Sequence, residues 1–216
     1  RMATSWIGGI GVVMFALVIL PSIGKSKMML SHFELSSLAK DNFNLYRTPT
    51  VVRIILSVYI GLTIVSILVL KLCGMNWFDA VCHSLSTMAT GGFSTHNESI
   101  GYYHSSFIEY VITIFTFIGG INFAIIYRTV MDDHTLIFRS EQVRWYVMLI
   151  AIFTGVFTIG LLWQGTYTNV EESFRYSLFQ ICSVITSTGF SACNTLEWGP
   201  FYSLITLSLM FFGACA

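Results

Sequence analysis

Charged residues are scarce in this 216-residue chain. Lys, Arg, Asp and Glu together make up 10% of it, whereas a soluble globular protein carries about 25%. The 11 basic and 11 acidic residues cancel to a formal net charge of zero, so no electrostatic footprint for nucleic acid is present. Proline is also rare, with 3 residues, and the 5 cysteines contain no CxxC pair. An odd number of scattered cysteines favours free thiols over a disulfide framework or a metal site.

The chain is instead rich in apolar residues. They make up 55% of the chain and form five long runs, at residues 2–23, 54–70, 110–127, 145–163 and 200–216. A helix needs about 20 mostly apolar residues to cross a bilayer. The sequence therefore predicts an all-α integral membrane protein with five spanning helices.

One segment of the sequence occurs twice, at an offset of 97 positions. Residues 77–97 align with residues 174–194, and Gly92-Phe93-Ser94 falls on Gly189-Phe190-Ser191. Each copy is an apolar stretch of roughly 12 residues, too short to cross a bilayer and typical of a re-entrant segment. Non-helical backbone at membrane depth is tolerated only where protein or a watery cavity surrounds it. Two such copies predict a pore.

The turn that ends each copy has the composition of an ion filter. A dehydrated cation needs several oxygen ligands, which backbone carbonyls supply without a buried charge. Glycine can adopt the backbone angles that such a loop requires, and the phenylalanines are expected to wedge the loops against neighbouring helices. The predicted ion-binding residues are Ala89, Thr90, Gly91, Gly92, Phe93, Thr186, Ser187, Thr188, Gly189 and Phe190.

Basic residues indicate the orientation in the membrane. The connections 24–53 and 128–144 hold five and three of the 11 Lys and Arg residues, which predicts that both are cytoplasmic. The opposite side holds both re-entrant segments and more acids than bases. These acids either concentrate cations at a pore mouth or belong to an ordinary solvated surface; they are Asp79, Glu98, Glu109, Glu171, Glu172 and Glu197.

Four further polar residues have expected roles in or near the pore. Asn122 has two alternative roles, and each of the three histidines has one. Asn122 lies in an apolar run, so its amide either bonds to a neighbouring pore loop or lines the pore. His83, midway along the first short helix, is expected to brace the back of the filter. His96 and His104 are expected to be solvated in the outer loop.

A membrane-embedded haem- or metal-binding enzyme is the alternative from another class. Haem ligation between helices requires histidines that face each other from opposite spans. His83, His96 and His104 instead fall in or just after one short segment. No serine stands out beside a general base, as a protease would need. A non-conducting scaffold would have no use for two filter-like loops.

The chain resembles the Trk/Ktr/HKT superfamily of potassium transporters, and its bacterial Trk branch above all. The resemblance is carried by Trp6-Ile7-Gly8-Gly9-Ile10-Gly11, Ala89-Thr90-Gly91-Gly92-Phe93-Ser94-Thr95-His96, Gly119-Gly120-Ile121-Asn122-Phe123 and Ser187-Thr188-Gly189-Phe190. It implies potassium-channel-like membrane–pore–membrane repeats with re-entrant pore helices and extended filter loops.

The resemblance also implies a division of the chain. Residues 1–24 would be the second membrane helix of a preceding repeat, and 25–50 a cytoplasmic connection. Residues 51–128 would form one whole repeat, 129–144 a second cytoplasmic connection, and 145–216 a truncated repeat. A gating loop would begin at Gly213 and Ala214.

The expected function is potassium uptake through a multi-pass protein of the cytoplasmic (inner) membrane. Potassium would be the substrate, and no covalently bound cofactor is expected. The resemblance implies a homodimer and a cytoplasmic nucleotide-binding regulatory subunit. Segments 25–53 and 128–144 would contact this subunit or would only set the topology. A sodium-permeable member of the family is the alternative, because the first filter loop lies outside the chain.

The charge distribution generates a topology prediction. A cysteine introduced at Lys40 or Asp133 should react with a membrane-impermeant thiol reagent only from the cytoplasm, and one at Asn169 only from outside. Labelling of intact cells and of inverted vesicles distinguishes the two sides. Reaction of both sets from the same side would contradict the re-entrant assignment.

Overall fold

The computed structural model describes residues 1–18, 48–123, 125, 126, 129 and 136–210. Within these ranges every regular element is helical, which confirms the all-α prediction. Single turns lie at Leu136–Arg139, Ser99–Tyr103 and Thr195–Trp198. The longer helices are α1 (Met2–Val18), α2 (Thr48–Leu72), α3 (Trp77–Met88), α4 (Ser106–Gly119), α5 (Glu141–Gln164), α6 (Val170–Ile185) and α7 (Pro200–Met210).

The two short helices that precede the glycine turns have equivalent surroundings. Helix α3 packs against α1, α2 and α4, and helix α6 packs against α4, α5 and α7. Each is therefore enclosed by one helix from the preceding part of the chain and by the two helices that flank it in sequence. Helix α4 contacts both short helices, so it joins the two halves of the fold.

Two of the described helices are long and apolar enough to cross a membrane. They contain the segments Ile55–Leu72 and Glu141–Gln164, and only 22% of each segment is buried within the protein. A core helix of a soluble protein would be mostly buried, whereas here apolar side chains such as Leu68, Ile152 and Ile159 face outward. Surfaces of this kind are suited to contact with lipid.

Helix α4 ends earlier than the sequence predicts. The apolar run 110–127 is broken after Gly119, because the Gly120 N–H bonds to the carbonyls of both Thr116 and Phe117, at 3.1 and 3.2 Å. The chain then loses helical geometry, and Asn122 lies in this interruption, where its carbonyl accepts a hydrogen bond from the Ile125 N–H at 3.0 Å. The prediction of one continuous helix over this run was wrong.

A buried ion pair connects the two halves of the fold. Arg175 in α6 donates through Nη1 to Glu109 in the first turn of α4, and these residues are 8% and 2% exposed. The Nε atom of Arg175 also donates to Glu171 Oε1 at 3.0 Å. Removing one partner of a buried pair leaves an uncompensated charge, which costs more than the intact pair contributes.

This geometry predicts a strong asymmetry between single and double substitutions. Arg175→Leu should lower the free energy of unfolding by about 3–5 kcal/mol, because Glu109 is left buried without its partner. The double variant Glu109→Leu/Arg175→Leu should recover most of that loss. Glu171→Gln is the control, because the side chain of Glu171 is 59% exposed and its pairing contributes at most about 1 kcal/mol. Unfolding of the purified protein in detergent measures all three, and an additive double variant would contradict the pairing.

Candidate functional site: two filter-like loops

The two glycine turns have the same backbone path. The Gly91 N–H bonds to the Ser86 carbonyl and the Thr188 N–H to the Ser183 carbonyl, both at 2.8 Å. These are the bonds of a helix C-terminus that closes with one residue in the left-handed region. That residue is Thr90 in the first loop and Ser187 in the second, with φ of 47° and 57°. The repeat seen in the sequence is therefore a repeat of structure.

Each loop takes a second left-handed residue two positions later. Gly92 has φ of 65° and Gly189 has φ of 83°, a conformation that glycine adopts without the steric cost paid by other residues. Thr90 and Ser187 occupy the same region without that freedom, which stores backbone strain of a kind that concentrates at functional sites.

Both loops can offer oxygens to a cation. Among the described residues, the carbonyls of Thr90, Gly91, Ser187 and Thr188 accept no hydrogen bond, because the loop N–H groups bond back to the helices instead. The loops also follow directly from the C-termini of α3 and α6, where the helix dipole places partial negative charge. Neither helix has a basic residue in its last turn.

The two loops touch each other at Gly92. A side chain added there would collide with the backbone carbonyl of Thr188 and would lie 3.1 Å from the carbonyl carbon of Gly189. The structure thus brings the two sets of predicted site residues side by side. At Gly189 the corresponding direction meets no atom within 4 Å, so the two glycines have the same backbone role and different surroundings.

The second loop is held more firmly than the first. Ser183 Oγ donates to the Phe190 carbonyl at 2.8 Å, and the hydroxyls of Thr186 and Thr188 are 2.7 Å apart. The residue equivalent to Ser183 is Ser86, which is fully buried and has no hydrogen-bond partner for its hydroxyl among the described residues.

The two phenylalanines differ in burial, and again the residue of the second loop is the more enclosed one. Phe190 is 1% exposed and packs in the apolar core around α3, as the wedge prediction requires. Phe93 is 41% exposed. The wedging role of Phe93 therefore stays a prediction.

His83 lies behind the filter-like loops. It is fully buried, and its Nδ1 is 2.8 Å from the Asp79 carbonyl, while its Nε2 is 3.0 Å from Ser94 Oγ. Because a carbonyl can only accept, Nδ1 carries the proton and Nε2 accepts from the Ser94 hydroxyl. The ring centroid also lies 6.1 Å from that of Phe190. His83 thus connects α3, the chain after the first loop, and the second loop.

The outer histidine is packed, against the expectation of a solvated loop. The His96 ring stacks on Tyr102 with centroids 3.6 Å apart, and its Nε2 lies 3.6 Å from Asp79 Oδ2. Partial burial raises the pKa of Asp79, but a hydrogen bond from Thr95 and the neighbouring His96 outweigh it and hold the pKa below its usual range.

The six acids that the sequence predicts on the outer side divide into two groups by burial. Glu109 is buried with Arg175, and Asp79 is 8% exposed. Both are engaged in contacts within the protein. The exposed acids are Glu98, Glu171 and Glu197, with Glu172 partly exposed. The proposed cation-concentrating surface therefore has fewer members than the sequence suggests.

Some contacts of the loops carry no signal in the sequence. Ser5 in α1 lies against the first loop, because a side chain added at Gly91 would meet Ser5 Oγ at 2.7 Å. Gly119, at the end of α4, lies near the Thr87 carbonyl. Only the repeated glycine pairs of α1 and α4 hint at such close approaches. The predicted gate residues Gly213 and Ala214 lie outside the described residues.

The fold and the loops define a class, that of membrane proteins built from repeats in which a pore helix and a filter-like loop lie between membrane helices. A family model described as "TrkH: Cation transport protein" matches residues 1–216. The chain belongs to this family of cation transport proteins.

Similar proteins agree over the whole chain. The Trk system potassium uptake proteins TrkH and TrkG of Escherichia coli K12 are 31% and 33% identical to it, over 100% of the chain and 45% and 44% of their own lengths. The crystal structure of the potassium transporter TrkH from Vibrio parahaemolyticus matches with a TM-score of 0.84 and 29% identity, and the match covers 43% of that protein. The chain thus spans under half the length of these relatives.

The contact between Ser5 and Gly91 gives a testable rescue. Gly91→Ala should destabilise the protein by about 1–3 kcal/mol through overpacking. The double variant Ser5→Ala/Gly91→Ala should be close to the parent, because the nearest remaining atoms lie at 3.4 and 3.6 Å. Gly92→Ala should not be rescued by Ser5→Ala, since backbone atoms oppose it. Thermal unfolding of the purified protein measures this, and equal damage in the single and double Gly91 variants would contradict it.

Proposed function

We propose that this chain forms part of the potassium pathway of a transporter, and that the two filter-like loops coordinate the ion through their carbonyls. The observation that carries the proposal is the close contact of Gly92 with the Thr188 carbonyl. This contact places two loops of equal backbone path, both with unbonded carbonyls, side by side. Carbonyl oxygens of such loops can replace the water around a dehydrated cation.

The named residues take separate roles in this proposal. Residues 89–93 and 186–190 supply two quadrants of a ring of carbonyls, and the remaining quadrants come from parts of the transporter outside this chain. Residues 1–24 close a preceding repeat, 51–128 form a full repeat and 145–216 form most of the next. The segments 25–50 and 129–144 are cytoplasmic connections, and Gly213 and Ala214 begin the gating loop.

The setting follows from the family and the charge pattern. The protein lies in the bilayer, and we infer a multi-pass position in the inner membrane with both basic connections in the cytoplasm. A homodimer and a nucleotide-binding regulatory subunit are the inferred partners. Transport is the inferred activity, because the relatives are named as uptake proteins.

Potassium is favoured over sodium by the glycine at both equivalent positions. A side chain at Gly92 would intrude on the neighbouring loop, so glycine keeps the carbonyls of the two loops in register.

Substitutions of the two glycines test this function in the full-length transporter. Gly92→Ser should lower discrimination of rubidium over sodium most, because the side chain meets backbone atoms. Gly189→Ser should lower it less, through strain at a φ of 83° alone. Gly8→Ser is the matched control, because Gly8 is exposed in α1 and a side chain there meets nothing within 4 Å. Rubidium uptake under competing sodium is the measurement, and unchanged discrimination in both loop variants would remove the loops from the ion path.

A further inference from the structure

Two tyrosines make the same contact in the two halves of the fold. The hydroxyl of Tyr59 in α2 donates to the Trp6 carbonyl in α1 at 3.4 Å. Tyr146 in α5 donates to the Phe117 carbonyl in α4 at 3.3 Å. The aligned segments differ by 97 positions, but these tyrosines differ by 87. The two contacts are therefore equivalent in the fold, although the two tyrosines are not aligned in the sequence repeat.

Each hydroxyl also occupies the notch left by a glycine. A side chain at Gly9 would meet Tyr59 Oη at 3.4 Å, and one at Gly120 would meet Tyr146 Oη at 2.6 Å. In both cases the glycine lies three residues after the carbonyl that the tyrosine approaches. The arrangement is thus a tyrosine of one repeat that binds a carbonyl and fills a glycine notch on the helix of the preceding repeat.

The notch is shared with the first residue of the adjacent filter-like loop. A side chain at Gly9 would lie 3.8 Å from Ala89 Cα, and one at Gly120 would lie 2.8 Å from Thr186 Cγ2. Ala89 and Thr186 are equivalent residues, and each directly follows the pore helix. The tyrosine and the loop therefore meet the same point of the preceding helix.

A chain of contacts leads from Tyr146 to the joint between the loops. Thr186 lies at Gly120, and its hydroxyl is 2.7 Å from that of Thr188. The carbonyl of Thr188 opposes Gly92. At the other end, Tyr146 binds the Phe117 carbonyl at the place where α4 stops being helical, which adds a partner for a carbonyl at the end of a helix.

The geometry points to Tyr59 and Tyr146 as positioning residues. Each fixes the preceding helix against the first residue of a filter-like loop, and thereby sets the position of that loop and its ion discrimination. This inference rests on the proposed function of the loops. Carbonyl placement determines which ion fits a filter, so a small shift of the loop should change ion selectivity more than protein stability. The Tyr59 contact is longer and its notch looser, so Tyr146 should have the larger effect.

The test uses Tyr→Phe variants of the full-length transporter. Tyr146→Phe should lower rubidium-over-sodium discrimination about threefold to tenfold, the range expected from losing one hydrogen bond, and Tyr59→Phe should lower it less. Both variants keep their rings, and the Tyr146 ring stacks on Phe117 at 5.0 Å, so thermal unfolding should shift by no more than the loss of one hydrogen bond allows. The control is Tyr202→Phe, because Tyr202 also packs its hydroxyl on a glycine, Gly160, between α5 and α7, where no loop residue is among the nearest atoms.

The outcomes separate the two proposals. Lower discrimination in Tyr146→Phe and not in Tyr202→Phe supports the positioning role. If Gly92→Ser lowers discrimination while Tyr146→Phe resembles the control, the positioning role is wrong and the filter assignment stands. If Gly92→Ser, Gly189→Ser and Tyr146→Phe all leave discrimination unchanged, both proposals are wrong. A Tyr146→Phe protein that loses stability and uptake together, at constant discrimination, has a structural tyrosine only.

A second variant tests the notch directly. Gly120→Ala should impair the transporter because its methyl group meets Tyr146 Oη and Thr186 Cγ2. Adding Tyr146→Phe and Thr186→Ser removes the two nearest atoms and leaves the ring carbon Cζ of residue 146 at 3.2 Å, so uptake should recover in large part, with altered discrimination. A triple variant no better than Gly120→Ala alone would overturn the shared notch.

Discussion

Backbone that leaves helical geometry inside a bilayer must still satisfy its N–H groups, and this requirement shapes both filter-like loops. The solution is the same in each: N–H groups bond backward onto the last turn of the pore helix, as Gly91 does with Ser86 and Thr188 with Ser183. The N–H groups of Thr90, Gly91, Ser187 and Thr188 are all paired in this way, whereas the carbonyls of the same residues accept no hydrogen bond from the described part of the chain. The chain obtains a surface of oxygens without burying a carboxylate, whose isolated charge would be far more costly.

The remaining polar groups of the membrane region support this arrangement. Ser84 receives a hydrogen bond from Ser66 in α2, and Ser173 donates to the Thr158 carbonyl in α5. The pore helices are therefore tied to the surrounding helices by short hydroxyl contacts. The buried ion pair of Glu109 with Arg175 joins α4 to α6 near their N-terminal ends. Polar groups in this fold serve mainly to fix helices around the two loops.

The sequence predicted those features that depend on composition and repetition. Apolar length identified the two described helices that are long enough to cross a membrane, α2 and α5. The 97-residue offset identified the loops, because similar sequences end the two pore helices in the same way. It could not predict features that depend on contact between distant segments. The end of α4 at Gly119 arises from local bonding within an apolar run, where periodicity carries no signal. The burial of Phe190 and exposure of Phe93 depend on neighbours, and His96 stacks on Tyr102 through a fold that its own surroundings in sequence do not reveal.

Helix α4 has a consequence for how the loops can move. Its Gly119 lies near Thr87 and Thr90 of the first unit, and its Gly120 lies near Thr186 of the second. The end of one helix thus contacts the first unit through one residue and the second unit through the next residue. A displacement of this helix end that alters one contact therefore alters the other as well, so the position of one loop is tied to that of its neighbour through α4.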